Sequence, residues 1–155
     1  MRKLVPAIIL SVLPFSAFAD DITADITKTV DACFASGSAD GASCVGNAAA
    51  ACQKATPTGA QTQGIIGCLE QEAKAWDKLL NAQYADLQKK QSGNDEFLGK
   101  LKGAQNAWIS FRDVDCSLAA AKYRGGSMAG VAAVACKMKH TADRTFQLAE
   151  FGQEG

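Results

Sequence analysis

The sequence predicts an all-α fold, an antiparallel helical bundle stapled by disulfides, and three observations point to it. Apolar residues recur at intervals of three and four and almost never alternate at two, which is the period of a helix rather than of a strand. The 155 residues include six cysteines, an even number with no C-x-x-C pair. That pattern favours a disulfide framework and lacks the spacing of a zinc ribbon, a thioredoxin-type centre or a haem attachment site. Hydrophobic residues make up 48% of the chain but aromatic ones 7%, and much of the remainder is alanine, so the core is expected to be thin and crosslinks to compensate for it.

Residues 1–19 read as a secretory signal peptide. Arg2 and Lys3 give a positive start, Leu4 to Phe15 an apolar stretch broken by Pro6 and Pro14, and Ala17-Phe18-Ala19 the small residues that precede cleavage before Asp20. A membrane span needs ~20 apolar residues, more than this run supplies. No later stretch is long and apolar enough, so no membrane insertion is expected after cleavage, and the mature protein is expected in the periplasm or outside the cell. The leader holds two of the 16 cations and none of the 16 acids, which leaves a mature charge of −2. Such a balance argues against nucleic acid as a partner, since binding phosphate needs a cationic surface.

After the leader, residues 20–60 form a cysteine-containing helical segment and residues 61–155 a helical domain. Ile22, Ile26, Val30, Cys33 and Phe34 line one face of a first helix, broken by Ser36-Gly37-Ser38 and Gly41. A short alanine-rich helix near Cys44 to Ala55 ends at Thr56-Pro57-Thr58-Gly59. A long helix from about Gln61 to Lys90 carries Ile65, Ile66, Leu69, Ala73, Trp76, Leu80, Tyr84 and Leu87 on its inner stripe, and Gln91-Ser92-Gly93-Asn94 breaks it. Ser92 or Asn94 can cap the next helix, whose first turn holds Asp95 and Glu96 at the positive end of its dipole. Phe97, Leu98, Leu101, Ala104, Trp108, Phe111, Asp115 and Leu118 mark its face. Gly125-Gly126-Ser127 interrupts, with Ser127 as N-cap, and the last helix is expected to bury Met128, Val131, Val134, Ala135, Met138, Ala142, Thr145 and Leu148.

Short connections make neighbouring helices antiparallel. Cys116 and Cys136 each lie roughly ten residues from the Gly125-Gly126-Ser127 turn, so antiparallel helices bring them level and pair them. Similar reasoning pairs Cys52 with Cys68 across the Thr56 to Gly59 turn and leaves Cys33 for Cys44, although six cysteines allow 15 connectivities.

One string is specific: Leu101-x-x-Ala104-Gln105-x-Ala107-Trp108-x-x-Phe111-Arg112-Asp113-x-x-Cys116. With Cys68, Glu72, Trp76-Asp77-x-x-Leu80-Asn81-x-x-Tyr84-x-x-Leu87 before it, and Gly125-Gly126-Ser127, Cys136, Thr141, Arg144 and Leu148 after it, the chain resembles the family of small secreted bacterial envelope proteins typified by the LprI-type lysozyme inhibitor. The resemblance runs from about Cys68 to Leu148 and leaves residues 20–67 uncovered. Gly103 stands where a stronger helix former would be expected. The resemblance implies a non-enzymatic envelope protein that binds and inhibits a lysozyme. The alternative is a structural or adaptor module that binds another periplasmic protein.

Residue chemistry agrees with an absence of catalysis. His140 is the sole histidine; no serine has a plausible base beside it, and oxidised cysteines are unreactive. Carboxylates such as Glu70 with Glu72, or Asp113 with Asp115, are two apart, point to different helix faces and read as solvated charge. No cofactor and no metal site are expected. Trp108 and Phe111 lie on the apolar stripe, which predicts them in the core with Arg112 tied to a carboxylate on the facing helix, Glu72 or Asp77. The other reading makes Trp108, Phe111, Arg112 and Asp113 a surface that grips a partner. Trp76, Asp77, Asn81 and Tyr84 recur along the long helix, and Asn81 is placed to hydrogen-bond across the bundle.

The sharpest candidate for partner binding is the turn Lys122, Tyr123, Arg124, Gly125, Gly126 and Ser127. Lysozyme-type enzymes work through two carboxylates in a cleft, which a basic loop narrowed by glycines could enter. The same residues would also serve as an ordinary helix end and start. Charge by segment is −3 over 20–60, −1 over 61–100 and +2 over 101–155, so an acidic N-terminal surface containing Asp25 and Asp31 is the competing site for a basic lysozyme.

Overall fold

The computed structural model describes residues 16–37 and 43–153. Among them lie the helices α1 (Ser16–Ala35), α2 (Asn47–Ala55), α3 (Thr62–Lys90), α4 (Asp95–Ala121) and α5 (Met128–Phe151), and no strand. Residues 1–15 of the expected leader, and the Ser38 and Gly41 breaks, fall outside the described residues, while residues 16–19 open α1. Helix α1 stops where Ser36 donates to the Cys33 carbonyl (2.7 Å) and Gly37 turns left-handed at φ 90°, a conformation that glycine adopts without a Cβ clash. The turn between α2 and α3 demands glycine for another reason. A Cβ on Gly59 would run into the Gln53 carbonyl, and one on Gly64 into the Thr58 carbonyl.

Helix α5 is the shared partner of the long helices. It packs against α3 along most of its length and against α4 on another side, while α1 and α2 cover the N-terminal half of α3. Ile66 lies against Gly130, the Thr145 hydroxyl sits 3.4 Å from the Trp76 carbonyl, and Lys90 donates to the Gly152 carbonyl (3.1 Å). These pairs rise together along both helices, so α3 and α5 run parallel and α4 runs antiparallel between them in sequence. The main core joins Ile26, Val30, Ala48, Ala49, Cys52, Cys68, Leu69, Trp76, Met138, Ala142 and Phe146. Residues 20–60 therefore share one core with α3 and α5. Phe146, which the sequence pattern did not single out, contacts the rings of Phe34 (5.5 Å) and Trp76 (5.6 Å). A second cluster of Leu80, Leu87, Leu101 and Leu148 closes the other end, with Tyr84, Phe97 and Trp108 packed on it.

The structure forms three disulfides: Cys116–Cys136 and Cys52–Cys68, the pairs expected across the turns, and Cys33–Cys44, the pair expected as the remainder. Asn94 caps α4 as expected, accepting from the Phe97 N–H at 3.2 Å. Two expectations for α5 are corrected. Ser127 stands at the N-cap position but makes no side-chain cap bond, its backbone already in the right-handed helical region, and Met128 is exposed because it lies on the first turn, beyond the end of the core.

Glu72 has no exposed surface, and its position overturns both the expectation that it is solvated charge and the expectation that it meets Arg112. Its carboxylate accepts from the Gly46 N–H (2.7 Å), the Ala49 N–H (2.7 Å) and the Trp76 indole N–H (3.1 Å). Helix α2 has no side-chain cap of its own, so Glu72 caps it from α3 and places negative charge at the positive end of the helix. Replacing Glu72 with alanine strands the buried Ala49 and Trp76 indole N–H groups and the part-buried Gly46 N–H, and each buried donor left unmet costs about 1–3 kcal/mol. Urea unfolding should therefore show Glu72→Ala destabilised by about 3 kcal/mol or more. By contrast, Gly103 in α4 faces open space, so Gly103→Ala should raise unfolding free energy by about 1 kcal/mol in the same measurement.

Candidate partner-binding site

Helix α4 holds to α5 by directional bonds more than by burial. Leu101, Gln105 and Cys116 are its buried residues, and Cys116 is bonded to Cys136 with Cα atoms 5.4 Å apart. Gln105 Oε1 accepts from Arg144 Nε (3.1 Å), and Asp115 Oδ2 lies 2.8 Å from His140 Nε2. Arg144 also donates to Gln147 (3.2 Å), and its burial pushes the guanidinium below its ordinary pKa. Cys116 fixes which side of α4 faces inward, and counting back by helical turns places Arg112, Gln105 and Leu101 on that side.

Phe111, Val114 and Leu118, spaced by three and four, consequently lie opposite Cys116 and are 58%, 72% and 63% exposed. This corrects the expectation that Phe111 and Leu118 belong to the core. The signal was present in the sequence: a stripe measured from Cys116 separates these three from Leu101 and Gln105. Trp108 is half-buried on the second cluster, with the Arg112 guanidinium 5.0 Å from its ring. Arg112 bonds its neighbour Asp113 (3.0 Å) rather than Glu72 or Asp77, and Lys137 approaches the same carboxylate at 3.9 Å. Asn81 does not cross the bundle; it is exposed and donates to Asp77 one turn back on α3 (3.1 Å). Asp115, expected to be solvated charge, is the hydrogen-bond partner of His140, and the Phe111 ring meets the imidazole edge-on at 5.5 Å.

The turn Lys122 to Ser127 is exposed throughout. Gly126 N–H donates to the Tyr123 carbonyl (2.8 Å), and two successive residues, Arg124 (φ 48°) and Gly125 (φ 79°), are left-handed. A left-handed arginine costs about 1–2 kcal/mol that a glycine would not incur. Tyr123 within the turn and Met128 at the start of α5 are exposed as well. The cation, the aromatic ring and the apolar helix face thus sit at one end of the molecule, behind which Cys116–Cys136 clamps the two helices.

Fold and site together define a disulfide-stapled all-α module with a cationic, apolar-flanked end. A family model described as "Lysozyme inhibitor LprI" matches residues 52–148, and the chain belongs to that family. An uncharacterised protein of Rhizobium meliloti (strain 1021) is 35% identical over 94 residues, covering 54% of this chain and 68% of that protein. No solved structure matches the chain. The family match begins at Cys52 and so includes the Cys52–Cys68 bond, but not α1 or Cys33–Cys44. The disulfides fit an oxidising compartment, and no helix among the described residues is long and apolar enough to cross a membrane.

Phe111→Ser, at a position facing solvent, should shift unfolding free energy by less than about 0.5 kcal/mol. Cys136→Ser should cost about 2–5 kcal/mol. Denaturant titration of the two variants side by side checks both, and a large loss at Phe111 would return that ring to the core.

Proposed function

We propose that this protein is exported by its N-terminal leader and that, once mature from Asp20, it binds and inhibits a lysozyme in the bacterial envelope or outside the cell. Membership of the LprI family supports this reading, and the left-handed Arg124 in a turn clamped by Cys116–Cys136 carries it. A residue held in a costly backbone conformation on an exposed tip is a sign of selection for something other than stability. Pre-ordering of the turn lowers the entropy lost on binding. In this proposal Arg124 and Lys122 enter the cleft and pair with the catalytic carboxylates, while Tyr123 and Met128 cover the rim. The protein acts by occupying the cleft and performs no chemistry.

A second reading, an adaptor for another envelope protein, is favoured by the row Phe111, Val114 and Leu118, which reaches further down α4 than a cleft-plugging turn requires. Titration of the mature protein against several lysozyme types in a cell-wall lysis assay separates the two. Under the inhibitor reading, Arg124→Glu weakens inhibition by about tenfold or more, in line with truncating one side of a buried charge pair. Asp25→Lys with Asp31→Lys on α1 then has little effect. Full inhibition by a folded Arg124→Glu protein eliminates the turn, and no inhibition of any lysozyme by the wild type leaves the adaptor. Mass spectrometry of the envelope form should show a start at Asp20 and a mass lower by the six hydrogens of three disulfides.

A further inference from the structure

Helix α4 carries a second apolar stripe, on the side away from the bundle. Ala104, Ala107, Phe111, Val114, Leu118 and Ala121 follow one another at alternating steps of three and four, and every one of them is exposed. That alternation is the seam of a coiled coil, in which each apolar side chain fits a hole on a facing helix. In the same register Cys116 takes the position furthest from the seam, and its disulfide holds the opposite side of α4 against α5. The inner stripe of Leu101, Gln105 and Cys116 is therefore already covered, while no helix among the described residues packs on the outer one.

We propose that the outer stripe of α4 pairs with the same stripe of a second copy, antiparallel about a two-fold axis, and that the protein is a homodimer in solution. The stripe is complementary to itself. With the axis level with Arg112 and Asp113, Phe111 faces Val114 of the second copy, Ala107 faces Leu118 and Ala104 faces Ala121. Large side chains thus meet smaller ones, and each unlike contact occurs twice. Along one flank of the seam Gly103, Ser110 and Ser117 are small and exposed, which lets the backbones approach, and the stripe itself holds no charge that pairing would desolvate.

Charge selects the direction. A parallel pair sets Lys122 and Arg124 of one copy beside those of the other, whereas the antiparallel pair places them at the end where the second copy has Asp95 and Glu96. The area is sufficient as well. The seam from Ala104 to Ala121 runs about 27 Å along helices about 10 Å wide. Two such faces, with the exposed residues beside them, bury on the order of 1,000 Å² in total, the size at which specific interfaces begin. An interface this small dissociates on dilution through the micromolar range. Self-pairing accounts for the exposed row without a foreign protein, and it stands apart from the inhibitor reading, since the two turns lie at opposite ends of the pair.

The purified mature protein, disulfides intact, is followed by sedimentation velocity across micromolar concentrations. The expected result is a mass that rises from one chain to two. Phe111→Lys and Val114→Glu should each weaken dimerisation by about tenfold or more, as changes at the centre of an interface do. Both positions face solvent, so circular dichroism and the unfolding midpoint stay as in the wild type. An equimolar mixture of the two variants should regain the dimer, because the introduced cation and anion face each other in the antiparallel register. A parallel pair sets each position against itself and gains nothing from mixing. Wild type that remains a single chain at every concentration overturns the proposal and leaves the row to a foreign partner. A dimer that both variants leave intact also overturns it, by placing the interface on another face, and loss without rescue on mixing overturns the antiparallel register.

Discussion

The carboxylate of Glu72 is the constraint on which the N-terminal half of the structure depends. Helix α2 has nine residues, too few to persist alone in water, and Gly46 at its start offers no side-chain cap. A buried carboxylate is costly unless its oxygens are fully hydrogen-bonded. Each group supplies what the other lacks: Glu72 gives acceptors to Gly46 and Ala49, and the helix start together with the Trp76 indole gives the charge its donors. The Cys52–Cys68 bond ties the other end of α2 to the same helix, so α2 is fixed to α3 at two places. Helix α1 then finds a formed surface for Ile26, Val30 and Cys33.

The two halves of the molecule use different physics. Between α3 and α5 the contact is largely apolar, centred on Trp76, Ala142, Phe146 and Leu148, and it is non-directional. Between α4 and α5 it is mostly polar and covalent: Gln105 with Arg144, Asp115 with His140, and the Cys116–Cys136 bond. Because α5 takes α3 on one side and α4 on another, no helix among the described residues packs on the far side of α4. The apolar row there is a consequence of the packing order. A helix held by a disulfide and a few hydrogen bonds can present such a face without losing its place.

Much of the fold was legible in the sequence, because helix formation, breaks at glycine-rich turns and the levelling of cysteines across a turn are local properties. The inner stripe of α3 follows from its spacing alone, as do Met138, Ala142, Thr145 and Leu148 on α5. So does the Cys116–Cys136 bond, since a short turn between antiparallel helices leaves few pairs of positions at the same height; the other two pairings were left open among the connectivities that six cysteines allow.

The sequence by itself determined where the helices run and break, that Cys116 and Cys136 meet across a turn, and where the chain turns between helices. The tertiary structure decided what faces what. Periodicity on α4 is ambiguous: Trp108, Phe111 and Leu118 make a plausible stripe, yet the bond from Cys116 rotates the helix so that Phe111 and Leu118 point to solvent. Glu72 meets donors 23 and 26 residues before it, and His140 meets a carboxylate 25 residues away. Such pairings depend on how α2, α4 and α5 lie against their neighbours, and spacing along one helix carries no record of that.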